Sequence, residues 1–168
     1  MAEEKDYSGE LTCSDSLLSY KSEGVSWSVK VSDIRLVGEY TTAEGPFIDD
    51  HFFVFLTALE GGWHETSFYA RGRDEVLVAL GKKLGALIET GLGNSAEYKT
   101  RIIWPERWNG QDLLDVIPAE RMKGLWNRIW GLQMPNEVVP SKAMREVFRN
   151  ETEQQDHHSA ARASRVAD

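Results

Sequence analysis

Between Leu17 and Leu92 the apolar positions change period. Val25, Trp27, Val29 and Val31 alternate with Ser26, Ser28 and Lys30, whereas Val76, Leu77, Leu80, Leu84, Leu87 and Ile88 recur at three- and four-residue steps. The first pattern puts one face of an extended strand in a core, and the second puts one stripe of a helix there. Strands followed by one helix are therefore predicted. Glu10–Cys13 and Leu17–Tyr20 read as short strands, and Lys21 to Gly24 supplies turn chemistry before Val25. Beyond Val31 the apolar face passes to Ile34 and Leu36, which predicts a bulge or bend near Ser32-Asp33 and a further strand to about Tyr40. Phe52 to Leu56 is continuously apolar and reads as a central strand covered on both faces; Gly61-Gly62 turns the chain into Trp63–Ala70.

Asp74 and Glu75 mark a helix start, and Gly91 and Gly93 supply stop signals, so the helix is expected from about Arg73 to Thr90. Gly81 and Gly85 then lie inside it, either tolerated or permitting a close approach. After it, Arg101–Trp104 adds a strand that Pro105 ends, and Glu106 to Gly110 is turn-like. A helix from Ala119 would carry Met122, Leu125, Trp126, Ile129 and Trp130 on one face. Pro135 and Pro140 precede a short helical segment, Ser141–Phe148.

The run of elements resembles the pleckstrin-homology-like superfold, in its bacterial variants, through Leu17-Leu18-Ser19-Tyr20, Trp27-Ser28-Val29, Ser32-Asp33-Ile34, Phe53-Val54-Phe55-Leu56 and the helix near Asp74. The resemblance covers about residues 10–92. It implies an α+β fold in which a strongly bent antiparallel sheet is closed by one long helix, with an additional helical C-terminal segment. The early hairpins lack the clustered Lys and Arg of phosphoinositide-binding members, which argues against that ligand. The expected organisation is a disordered N-terminus at 1–9, one α+β domain at 10–149 with a Trp-rich extension from 93, and a disordered tail at 150–168.

The 168 residues suffice for one such domain, and 41% hydrophobic with 27% charged residues is an ordinary globular balance. Nineteen basic against 27 acidic residues leave a formal charge of −8, which disfavours nucleic acid and anionic lipid. Cys13 stands alone, so no disulfide can form within one chain; a polar, acidic start and the lack of a run of roughly 18 apolar residues point to a cytoplasmic protein without membrane insertion.

Candidate chemistry is sparse. Asp49-Asp50-His51 offers carboxylates beside an imidazole for metal binding or proton transfer, or else a solvated turn. His64-Glu65 lacks the second histidine of a zinc-protease helix, which is replaced by Phe68. Phosphate-binding loops and a nucleophile elbow are absent, and no cofactor or metal is expected. Trp104, Trp108, Trp126 and Trp130 are concentrated late in the chain. Trp126 and Trp130, with Arg121 and Arg128 nearby, belong either to the core or to a surface for a protein partner or self-association. The leading expectation is a non-catalytic interaction or scaffold module. The alternative is a ligand-binding or enzymatic protein with a pocket formed by Trp27, Phe53, Trp63 and Tyr69 and assisted by Asp50, His51 or His64.

Overall fold

A computed structural model describes residues 8–42, 49–93, 97–117 and 137–149. The expected strand sequence is present. Strands β1 (Glu10–Cys13), β2 (Leu17–Ser22) and β3 (Val25–Lys30) form an antiparallel sheet, with Tyr20 opposite Trp27 and Leu18 opposite Val29. A 3-10 turn at Val31–Asp33 makes the anticipated bend, buries Val31 and delivers the chain to β4 (Leu36–Thr41). β4 joins β5 (His51–Leu56), β6 (Trp63–Ser67) and β7 (Lys99–Trp104) in a second antiparallel sheet of order β6-β5-β4-β7.

This second sheet is buried on both sides, as the unbroken apolar run of β5 requires. Val37, Phe53, Phe55 and Ile103 pack toward the first sheet and the helix α1 (Arg73–Leu84), against Leu18, Tyr20, Val29, Val76, Leu77 and Leu80. Leu36, Val54, Leu56 and Ile102 pack in the other direction, onto Leu113 and onto Ala143, Met144 and Val147 of a second helix, α2, at residues 142–149. Adjacent residues in one strand thus serve different cores, because successive side chains point to opposite faces.

Two sequence expectations are corrected. The strands make three separate hydrogen-bonded sheets, none of them closed, instead of one strongly bent sheet. The helix ends at Leu84 and not near Thr90, because Gly85 adopts φ 66° and Ala86 N–H bonds back to Gly81 O, a left-handed stop that Gly85 supplies without a Cβ penalty. Leu87 is consequently exposed, while Ile88 returns to the core and Ala86 packs partly against it.

The third sheet was not anticipated. It pairs β8 (Leu114–Ile117) with β9 (Glu137–Pro140), Ile117 lying opposite Glu137. Its base is fixed twice. Thr100 Oγ1 accepts from the backbone N–H groups of Leu113 and Leu114, both at 3.1 Å, while Ser141 Oγ donates to Asp112 O at 2.6 Å and accepts from Met144 N as the cap of α2. The expected helix from Ala119, with Arg121, Trp126, Arg128 and Trp130, falls outside the described residues, as does the expected disordered tail at 150–168. Of the N-terminus expected to be disordered at 1–9, residues 1–7 also fall outside, while the Ser8 and Gly9 carbonyls accept hydrogen bonds from Tyr20 and Arg71.

Candidate functional site

Glu39 and Tyr40, neighbours on β4, anchor two polar centres on opposite faces of the second sheet. Glu39 faces the first core and is fully buried. Four donors converge on its carboxylate. His51 Nε2 lies 2.9 Å and Thr90 Oγ1 2.7 Å from Oε2; Gly91 N and Arg101 Nη1 lie 2.7 and 2.9 Å from Oε1. A buried carboxylate is tolerated only when it is paired and hydrogen-bonded in this way. Burial pushes the Glu39 carboxyl up, but the hydrogen bonds from His51, Thr90 and Gly91, with the charge of His51, outweigh it and hold the group below its ordinary value of 4.5. Arg101 continues outward to Asn109 Oδ1 at 2.8 Å. The imidazole of His51 stacks on Phe68 with centroids 4.2 Å apart, and the Arg73 guanidinium stands 3.9 Å from the centroid of that ring. The network therefore ties β4, β5 and β7 to the segment that follows α1.

The close approach at Gly91 depends on the missing side chain, because a Cβ there would collide with the Arg101 guanidinium. Gly91→Ala is expected to displace the guanidinium from Glu39 and lower stability by about 1–3 kcal/mol, the cost of a lost charged hydrogen bond. Denaturant unfolding of the two proteins measures it, and an unchanged midpoint would assign no stability to that contact.

Tyr40 faces the other way. Its ring stacks on Phe52 at 5.1 Å and lies 6.4 Å from Trp63, while its hydroxyl donates to Glu65 Oε2 at 2.7 Å. Trp63 Nε1 donates to the same oxygen at 3.2 Å, and Trp63 is 37% exposed on the edge strand β6. Burial first, then the bond to Glu65, raises the Tyr40 phenol strongly, so this hydroxyl remains a donor.

The sequence-predicted pocket residues divide between these environments. Phe53, fully buried, and Trp27 belong to the first core, where Trp27 contacts His64 at 5.4 Å and donates its indole N–H to Glu65 O. Burial lowers the pKa of His64. Trp63 projects from the opposite face, one residue away from His64, as strand alternation dictates. Asp49, Asp50 and His51 also diverge: Asp49 accepts from Ser8, Asp50 accepts from Tyr69, and His51 turns inward to Glu39. The bond to Asp50, followed by burial, raises the Tyr69 phenol. Among the described residues no three His, Cys, Asp or Glu side chains are grouped to hold a metal ion.

A cleft of about 730 Å³ opens beside the start of α1, between Leu11, Cys13, Phe68, Arg73 and Val76; of the predicted pocket residues, Tyr69 alone lines it. Burial raises the Cys13 thiol there, opposed by the charge of Lys83. Sequence reasoning missed Glu39, Arg101, Thr90 and Gly91 on one face and Tyr40, Phe52 and Glu65 on the other. Their one local signal is Glu39, a lone carboxylate in phase with Val37 in an otherwise apolar strand. Comparison with known proteins adds no relative, since no family model, curated protein or solved structure matches the chain.

Proposed function

We propose that this chain is a non-catalytic protein-interaction or scaffold module of the cytoplasm. The observation that carries the reading is the β8–β9 hairpin: its two strands are held together from Leu114 opposite Pro140 to Ile117 opposite Glu137, and the intervening residues 118–136 contain Arg121, Trp126, Arg128 and Trp130. A stretch rich in Trp and Arg has the composition of a binding hot spot, and the two strands that flank it in the sequence are paired with each other. The pleckstrin-homology-like resemblance remains part of this reading, supported by the antiparallel strands that precede α1; phosphoinositide is not its ligand. The aromatic-pocket alternative draws less support, because Trp27 and Phe53 lie on one face of the second sheet and Trp63 on the other.

Trp126→Ala combined with Trp130→Ala is expected to abolish assembly, read by native mass spectrometry, while far-ultraviolet circular dichroism stays that of the parent. Loss of the folded spectrum would return both residues to the core, and retained assembly would remove them from the interface.

A further inference from the structure

We infer that the patch formed by Tyr40, Phe52, Trp63 and Glu65 seats a basic side chain, a guanidinium or an ammonium, presented by a protein partner. The inference rests on the interaction-module reading for the existence of that partner and adds the chemistry by which it is recognised. Two aromatic residues bind one carboxylate and a third backs them: Tyr40 and Trp63 both direct their polar hydrogens to Glu65 Oε2, at 2.7 and 3.2 Å, and Phe52 stacks on Tyr40. These two bonds fix the rings and the carboxylate relative to one another, while Glu65 Oε1 accepts no hydrogen bond among the described residues.

The site combines the two features that attract a cation. Aromatic faces draw positive charge through the ring quadrupole, tryptophan most strongly, and a neighbouring carboxylate supplies the counter-charge. Among the described residues of β4, β5 and β6, Glu65 is the single charged side chain on this face, so no cation on these strands neutralises it there. The chain as a whole carries a formal charge of −8, which draws a basic partner toward it. The open edge-strand setting favours a side chain delivered by a protein over a free small molecule. Small ligands need most of their surface enclosed, and Trp63 is 37% exposed on an edge strand.

The test uses the full chain and two probes, the peptide Gly-Arg-Gly-Arg-Gly and its citrulline counterpart, which keeps the shape and loses the charge. Nuclear magnetic resonance follows the indole N–H of Trp63, assigned by its disappearance in Trp63→Leu. The arginine peptide is expected to move that signal and the citrulline peptide to leave it in place. With affinities read by isothermal titration calorimetry, because Trp63→Leu lacks the reporter signal, Trp63→Leu and Glu65→Gln should each weaken binding about three-fold, and together about ten-fold, as exposed cation–π and ion-pair contacts dictate. Glu65→Gln retains an oxygen for Tyr40 and Trp63, so the fold is kept. Glu75→Gln, the same charge change on exposed α1, should have no effect.

Equal binding of the citrulline peptide, an equal loss in Glu75→Gln, or an unmoved Trp63 signal would overturn the inference. Tighter peptide binding in an Arg121→Gln, Arg128→Gln variant would show that the chain fills the seat with its own cation, and would overturn the partner assignment. A chain that assembles through Trp126 and Trp130 yet ignores the arginine peptide sinks this inference alone. One that stays monomeric and ignores the peptide sinks the interaction reading with it.

Discussion

Glu39→Ala is expected to destabilise the fold by about 3–5 kcal/mol, the cost of removing one partner from a buried ionic cluster. The loss comes from what remains: the buried His51 and the partly buried Arg101 guanidinium lose their counter-charge, and Thr90 and the Gly91 N–H lose their acceptor. At roughly 2–4 °C per kcal/mol for a chain of this size, the melting temperature should fall by about 10 °C. The same group sets a pH dependence. Its folded pKa is depressed below the unfolded one, so its contribution is fully present above the ordinary carboxylate value of 4.5 and is lost as pH falls through the folded value. Stability should therefore decline on acidification, and Glu39→Gln should flatten that decline. Urea titrations of both proteins from neutral pH downward provide the check. Parallel pH profiles would show that the carboxylate is not the group that titrates.

Phe53→Ala and Phe52→Ala test the two-sided sheet with neighbouring residues of one type. Phe53 is fully buried and touches His51 and Phe68, with centroids 5.7 and 5.8 Å away, so truncation leaves a cavity in the first core and should cost about 3–5 kcal/mol. Phe52 is half-buried beneath Tyr40 on the other face, and its loss should cost about 1 kcal/mol, the scale of one exposed aromatic contact. Chemical denaturation of the two variants gives the ratio directly. Equal losses would contradict the assignment of the two rings to different layers.

The features legible in the sequence were those governed by local period. Alternation from Val25, the phase change after Val31 and the unbroken run of β5 each specify which side chains must be covered; Val29, Ile34, Leu36 and Phe53 to Leu56 are buried accordingly, whereas Val25, at the start of its strand, is 50% exposed. The end of α1 was misread because an apolar stripe continues through Leu87 and Ile88, whereas the backbone turns at Gly85, a decision made by one residue's conformation. β9 escaped notice because Glu137–Pro140 has neither length nor alternation of its own and exists by pairing with β8. The Glu39 network was illegible for a different reason. Its members, at positions 39, 51, 90, 91 and 101, are brought together by sheet register and by the path after α1, which no local spacing encodes. The expected aromatic pocket mixed the two sides of β6, where a shift of one position separates Trp63 from His64.

The β8–β9 hairpin carries an implication for sequence change. Thr100 and Ser141 hold its base from outside the paired residues, so the pairing of β8 with β9 is anchored to β7 on one side and to α2 on the other. Thr100→Val or Ser141→Ala would therefore loosen two elements at once, since the backbone groups of Leu113 and Leu114 lose their acceptor in the first, and in the second the Asp112 carbonyl loses its donor and the first turn of α2 its acceptor.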